Sequence, residues 1–395
     1  MSETPVPYSP ARRVAFLIDR WEPRRGGAER AMAQLAEHLI RRGHRVLAIA
    51  CEHAPGAPGE HVRVKSWGIT RSERERRLAR NLVAAARYHH VEVTIGARHL
   101  YEVDLYWPHG GAHRATLEAL VRAGLMRQCD DLSGRHATFV ELERELLERG
   151  GARKVACVSQ LVFDELAREY PACRERLVLV ENGVDLRKFH PGLRATVGAE
   201  LRRELEIPDG VPLIAFAARN PQLKGSSSLV GAMLAISSPV ALAEWRDLDW
   251  RLLIAGEDPA RWPFRDQVDE FAARTRWREH VDPVALWSAA DLCVLPSWRD
   301  TSGLVILEAL ACGTPVITTA SAGAHDVVAA HAGTVIAAGR SADLCASIAA
   351  WLARIRAGEI DREAIRACVA RRDSETWLAR LEALVLDLAA TRNAR

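Results

Sequence analysis

Two acids, Asp300 and Glu308, are separated by seven residues, the first in the polar loop Trp298–Ser302 and the second inside an apolar run. That run reads Leu304-Val305-Ile306-Leu307-Glu308-Ala309-Leu310, and a carboxylate buried in such company is costly unless it has a partner. The hydroxyls of a ligand would serve, and so would an arginine. Gly303 opens the helix, so its first free amides can meet an anion.

A second group is cationic. Arg219 and Lys224 follow the apolar run Leu213–Ala217, and Gly225 then opens a helix. Arginine grips a phosphate with two parallel donors, whereas lysine supplies a point charge. Fixed cations aimed at charge building on a departing phosphate lower the barrier with little reorganisation. Of the 54 basic residues only Lys65, Lys154, Lys188 and Lys224 are lysines, which singles out a lysine at a strand–helix junction. The alternative is a loop pair facing solvent. Gly26-Gly27 precedes the helix at Ala28 and lets the backbone approach a ligand closely, with a plain tight turn as the alternative. Gly256 occupies the comparable loop after Arg251–Ala255.

These loops need elements to hold them. Strands are predicted at Val14–Ile18, Arg45–Ala50, Val91–Gly96, Val103–Trp107, Lys154–Ser159 and Leu177–Val180, then at Leu213–Ala217, Arg251–Ala255, Leu292–Leu295, Val316–Thr319 and Thr334–Ile336. Helices fit between them, among them Ala28–Arg42, Arg71–Tyr88, Ser226–Ile236, Phe264–Arg276 and Gly303–Cys312. Most strand runs are apolar at successive positions, as expected of parallel strands covered on both faces. Alternating β and α units predict an α/β chain of two doubly wound, Rossmann-like domains facing across a cleft. In such sheets ligands bind at the carboxyl ends of strands. The join is placed just before the polar stretch Pro191–Gly210, giving a first domain over 1–187 and a second over 188–372.

The composition excludes several classes. With 48% apolar and 27% charged residues in 395, the chain is an ordinary globular one, not a disordered one. No apolar run is long enough to span a bilayer. Met1–Pro10 is polar and Val14–Ile18 is too short for a signal core, which predicts a cytosolic protein. The eight cysteines form no CxxC pair and several sit in apolar runs, as in a reducing compartment. Asp247-Leu248-Asp249 precedes a strand, the wrong end of the sheet for a ligand, and the site acids are too dispersed for a metal. The absence of G-x-G-x-x-G after the first strand disfavours a dehydrogenase. Net charge is +3, yet residues 1–100 alone hold 18 basic against 10 acidic residues. Arg71, Arg74, Arg76, Arg77 and Arg80 cluster at the start of one helix. A solvated face and a surface for anionic lipid headgroups are the two readings. Nucleic acid is not expected, because no aromatic residues interleave with the basic ones in a known motif. Trp21 and Trp298 lie in candidate site loops where their rings could stack on a ligand.

The stretch from Pro296-Ser297 through Asp300 to Leu304-Val305-Ile306-Leu307-Glu308-Ala309-Leu310-Ala311-Cys312-Gly313-Thr314-Pro315 resembles the signature of the retaining GT-B glycosyltransferases of family 4, the "glycosyl transferases group 1" type. Other segments match that family in order: Gly26-Gly27-Ala28-Glu29, Glu181-Asn182-Gly183-Val184-Asp185 with Phe189, Arg219-Asn220-Pro221-Gln222-Leu223-Lys224-Gly225, and Ile254-Ala255-Gly256-Glu257. Asp104–Ala119 and Ala137–Arg149 are also similar to lipopolysaccharide core glucosyltransferases. The resemblance implies the GT-B fold, with a C-terminal helix within 373–395, carrying Trp377, that crosses back onto the first domain. It implies that Glu308 holds the ribose of a nucleotide sugar and that the first acid touches the donor sugar. It implies that amides at Gly303, Leu304 and Val305 receive the diphosphate, clamped by Arg219 and Lys224. The family usually has Glu at the first acid, where this chain has the shorter Asp300. It also has a histidine in a loop near the donor sugar, and His109 fits that place better than His113 because it lies nearer the strand end. The segment Arg278–Val284 is shorter than usual and lacks the family's Phe-x-Gly element beside the base.

The expected activity is therefore transfer of a hexose from a nucleotide sugar, a UDP-sugar favoured, to a hydroxyl of a glycan or lipid-linked acceptor. Configuration would be retained, and neither cofactor nor metal would be needed. The protein would be cytoplasmic, with peripheral contact at the inner face of the membrane. A nucleotide-sugar hydrolase or epimerase on the same fold is one alternative, because fold does not fix function. A non-catalytic carbohydrate-binding relative is the other.

Overall fold

A computed structural model describes residues 11–127, 133–238, 245 and 248–392. Asp247, Cys129 and Met1–Pro10 lie outside the described residues. Seven strands form the first sheet: β1 (Arg13–Leu17), β2 (Arg45–Ala50), β3 (Glu60–Arg63), β4 (Val93–Gly96), β5 (Val103–Tyr106), β6 (Ala152–Cys157) and β7 (Leu177–Leu179). Their order is β3-β2-β1-β4-β5-β6-β7. Six form the second: β8 (Leu213–Ala217), β9 (Arg251–Ala255), β10 (Thr275–Arg278), β11 (Leu292–Leu295), β12 (Val316–Thr319) and β13 (Gly333–Ile336), in the order β10-β9-β8-β11-β12-β13. Every pairing in both sheets is parallel, as successive apolar residues required. The strand order reverses at β1/β4 and at β8/β11, so each sheet opens a crevice there at its carboxyl edge. These are two Rossmann-like α/β domains.

The helices that matter for the cleft are α1 (Gly27–Arg41), α2 (Arg71–Tyr88), α3 (His113–Arg122), α4 (Gly134–Leu147), α5 (Gln160–Glu169), α6 (Ser226–Ser237), α7 (Leu304–Ala311) and α8 (Ser374–Arg392). Two capping arrangements fix where α2 and α5 begin. Thr70 and Glu73 form a reciprocal capping box on α2, and Ser159 Oγ accepts from Val162 N at the start of α5.

Two hydrophobic cores form, and they change over at the linker. The first runs to Val180 and the second begins at Val184 and ends at Val369. Trp377, Leu378, Leu381, Val385 and Leu388 of α8 then return to the first core. The two crossing segments bond each other: Val184 N donates to Arg372 O at 2.7 Å and Ser374 N donates to Val184 O at 3.0 Å. A Cβ at Gly183 would stand 2.9 Å from Asp373 O, so only glycine lets the strands touch. Among the described residues no helix is long and apolar enough to cross a membrane.

Two expectations fail. Phe264–Arg276 is not one helix. It splits into a helix over Arg265–Val268 and a 3-10 turn over Asp269–Arg274, with a kink at Phe271, and then enters strand β10. Phe271 is buried against Trp250, and the edge of the sheet recruits Thr275–Arg278 beside β9, so tertiary pairing overrides the helical period. Trp21 is no sugar platform either. It is 1% exposed in the first core, packed on Phe16, with Nε1 donating to Pro58 O.

Candidate active site

The loops after β8, β9 and β11 meet in the cleft, and their glycines make that meeting sterically feasible. Gly225 has φ +84° and a Cβ there would lie 2.0 Å from Pro296 O. Gly256 has φ +100° and abuts Ala218 O. Both positions need the left-handed region that glycine alone enters cheaply. The β8 loop is thus pressed against the β11 loop, and Lys224 reaches it. Lys224 Nζ lies 3.0 Å from Asp300 Oδ2 and donates to Arg299 O at 3.3 Å. Asp300 Oδ1 accepts from Gly303 N at 3.1 Å and Ser302 N at 3.3 Å, which fixes the turn into α7. Gly303 itself has φ +65° at the helix N-cap, leaving the first amides of α7 facing the cleft without a side-chain cap.

The first domain closes the other side. A Cβ on Gly27 would stand 3.0 Å from Leu304 Cδ1, so the Gly26-Gly27 turn abuts the first turn of α7. Gly26 is extended, with φ −171°, and precedes α1. Arg219 bridges the cleft by donating Nη2–H to Arg24 O at 3.2 Å. Glu308 is 5% exposed and accepts from Arg30 Nη2 of α1 at 2.5 Å. Burial pushes the Glu308 carboxyl above its ordinary range, opposed by Arg30, a hydrogen bond from the Trp287 side chain, and Lys188. Of the two partners open to Glu308, the arginine is the one in contact.

His109 sits in the loop after β5 and is 7% exposed. Its ring packs on Trp107 at 4.4 Å, and among the described residues neither ring nitrogen has a hydrogen-bond partner. Burial pushes its pKa down to about 3, so it is neutral at pH 7. Its carbonyl accepts from Thr301 Oγ1 at 2.5 Å, which ties it to the Asp300 loop. His113 lies elsewhere, with Nε2 3.1 Å from His136 Nδ1 and its ring against His99 and Phe139.

The structure therefore gathers Lys224, Asp300, Gly303 and Leu304 with Gly27, and sets Arg219, Glu308 and His109 around them. Val305 follows in the same first turn, and Gly256 closes the side nearest β9. Two further elements of the site carried no local signal. Arg30 is part of the Gly-Gly segment but its carboxylate partner is 278 residues away. Arg299 is 5% exposed and forms a two-pronged ion pair with Glu165 of α5, while donating Nη2–H to Gly110 O at 2.9 Å. Among the described residues no group of three or more His, Cys, Asp or Glu is placed to hold a metal ion. The arrangement offers two fixed cations and a row of free amides to an anion, with acceptors for hydroxyls on either side.

Comparison with known proteins gives the family and the fold. Residues 211–354 match the family described as "Glycosyl transferases group 1", and residues 25–188 match "Glycosyltransferase Family 4". Together they span most of the chain, which belongs to the GT-B glycosyltransferases. A D-inositol 3-phosphate glycosyltransferase of Salinispora tropica is 34% identical over 177 residues, 42% of this chain. That match spans only 36% of the relative's length. The fold is shared with WaaG, a glycosyltransferase involved in lipopolysaccharide biosynthesis, at TM-score 0.79 and 20% identity, over 94% of this chain and 99% of that one. It is also shared with Anabaena Alr3699/HepE in complex with UDP and glucose, at TM-score 0.67 and 17% identity, over 94% and 98%.

Proposed function

We propose that the protein transfers a hexose from a nucleotide sugar, a UDP-sugar in preference, to a hydroxyl of a glycan or lipid-linked acceptor, with retention of configuration. The observation that carries this reading is the convergence of Lys224, Asp300 and the open first turn of α7 at one point of the cleft. When the bond to the sugar breaks, negative charge builds on the departing diphosphate. Arg219, Lys224 and the amides of Leu304 and Val305 meet it, the Gly303 amide being held by Asp300, and fixed donors in a closed cleft are worth more than in water. That charge supply needs no metal. Asp300 and the neutral His109 would take hydroxyls of the donor sugar, and Glu308 the ribose. The UDP complex of the Anabaena relative supports the choice of base.

The test is product formation with UDP-, GDP- and ADP-sugars over a panel of glycan acceptors. Rapid release of diphosphate without any acceptor would instead favour a hydrolase. Binding without turnover on any acceptor would favour a carbohydrate-binding relative.

The same reading includes peripheral contact with an anionic membrane, and the fold sorts the five arginines. Arg76 is paired with Glu141 at 2.6 Å, and Arg77 lies over the Trp67 ring at 3.4 Å. The acids of α2 are turned to other work: Glu73 caps the helix and Glu75 pairs with Arg98 and Arg135. Arg71, Arg74 and Arg80 remain exposed, with no carboxylate within ion-pair distance among the described residues. Trp67 and Ile69, 65% and 95% exposed, stand in the loop leading into them. Basic residues beside exposed apolar ones suit the headgroup boundary of a bilayer.

A further inference from the structure

Arg30 and Glu308 present a conflict that the donor reading must resolve. The carboxylate assigned to the ribose is already taken, by a guanidinium at 2.5 Å from the opposite domain. Glu308 is a buried side chain, 7% exposed, whereas Arg30 is 39% exposed and free to swing about its long stem. Without Arg30 the buried carboxylate would keep the Trp287 side chain as a donor but lose its ion-pair partner, so a nucleotide enters at least cost if its hydroxyls replace the guanidinium as they displace it. The displaced guanidinium then needs an acceptor of its own. Arg30 lies on the first turn of α1, three residues beyond the Gly27 that abuts Leu304. The first turn of α7, whose Leu304 abuts Gly27 and whose acid Asp300 pairs with Lys224, is the side of the cleft where a new anion would be held. A phosphate there offers the paired oxygens that a guanidinium grips best.

We propose that Arg30 is a donor-binding residue that exchanges partners: it leaves Glu308 when a nucleotide enters and turns to the diphosphate, while ribose takes its place on the carboxylate. This rests on the nucleotide-sugar reading and deepens it. The exchange makes the two halves of the ligand interdependent. Ribose alone would expel Arg30 and give it nothing in return. A nucleoside diphosphate satisfies both the carboxylate and the guanidinium. Selectivity for diphosphate over nucleoside thus comes in part from a residue of the first domain, across the cleft from Lys224 and α7. Occupation of the site also replaces one bond across the cleft, Arg30 to Glu308, by another, Arg30 to phosphate, so the cleft stays closed around its ligand.

The experiment is a pair of titrations on the full chain. Wild type is first titrated with UDP, GDP and ADP, and the nucleoside of whichever binds is then measured beside it. The same pair is measured on Arg30→Gln and Arg30→Lys, each with a melting curve to show that it folds. The expected result is that Arg30→Gln weakens the diphosphate about tenfold or more, as loss of a charged hydrogen bond implies. It leaves the nucleoside unchanged or tighter, because Glu308 no longer has to give up a partner. Arg30→Lys keeps most of the diphosphate affinity. Equal weakening of both ligands in Arg30→Gln would overturn the exchange, since it would mean that Arg30 only braces Glu308. Unchanged diphosphate affinity would overturn it too, leaving the donor site itself intact. If wild type bound none of the three diphosphates, the donor reading would fall and the exchange with it.

Discussion

The Arg299 guanidinium of the second domain is clasped by the Glu165 carboxylate of the first, Nη2 to Oε2 at 2.8 Å, with both side chains under a tenth exposed. Residue 299 immediately precedes Asp300. The loop that holds Lys224 and opens α7 is therefore pinned to the opposite domain one residue before its acid. Ser159 Oγ adds a second tie by donating to Thr301 O at 2.7 Å. Closure of the cleft and the geometry of the donor loop are thus one event.

Removing half of that pair should be costly. Arg299→Ala leaves a buried carboxylate alone, and loss of one partner of a buried pair costs about 3–5 kcal/mol. Replacing both residues by methionine should recover most of that stability, as an apolar pair needs no counter-charge. Urea unfolding of the single and double variants checks this. A single variant as stable as wild type would show that the clasp does not hold the domains.

Lys224→Ala and Arg219→Ala should each lower kcat/KM by roughly 10²–10³-fold, the usual cost of losing one fixed donor to developing charge. The melting temperature of Arg219→Ala should move little, because that residue is exposed, whereas Lys224→Ala also loses its Asp300 partner and should melt somewhat lower. Steady-state rates beside melting curves decide it. Full turnover in either variant would remove that cation from the diphosphate clamp.

Asp300→Glu should keep more activity than Asp300→Ala. The alanine variant loses the Lys224 partner and the acceptor for Gly303 N together, where one charged hydrogen bond is worth about 1.5–3 kcal/mol. The glutamate variant retains the charge and extends its reach by one methylene, so its donor-sugar preference should shift. Competition between two donor sugars measures that shift.

His109 sets a pH dependence of stability. Its folded pKa is about 3, below the ordinary 6.5, because burial disfavours the cation. Between those values the unfolded chain binds a proton that the folded one refuses. Stability should therefore fall as pH drops below 6.5, by at most about 1.4 kcal/mol per unit from this residue. His109→Gln should flatten the fall between pH 7 and pH 5 by up to about 2 kcal/mol in urea unfolding. An unchanged slope would mean that the ring is hydrated in solution.

Arg71, Arg74 and Arg80, changed together to Gln, should release the protein from vesicles of mixed anionic and zwitterionic lipid at low salt. Changing the paired Arg76 should matter less, since Glu141 already neutralises it. Each basic residue near an anionic leaflet is worth roughly 1 kcal/mol, and salt should weaken the attraction as the Debye length shrinks. Cosedimentation at two salt concentrations tests it. No binding by wild type at low salt would leave α2 a solvated helix.

The residues by themselves determined the parts that near neighbours encode. Runs such as Leu252–Ala255 and Leu292–Leu295, short and apolar at every position between loops, fitted parallel strands covered on both faces. Glycines at 225, 256 and 303 marked where a strand hands over to a helix and where a loop must come close to something. Glu308, an acid in an apolar helix, announced that it required a partner. The tertiary structure alone decided who that partner was, because Arg30 lies 278 residues away and no periodicity reaches so far. For the same reason the Arg299–Glu165 clasp, 134 residues apart, was invisible, although each half is an unremarkable charged residue in its own segment. The edge position beside β9 turned the end of an apparent helix into β10, and the first core took Trp21 from a loop that pointed at the ligand. Local patterns fix which backbone bonds are made, since those bonds join neighbours in sequence or in a repeating sheet. Charges and rings choose partners by distance in space, and that distance exists only once the two domains have closed.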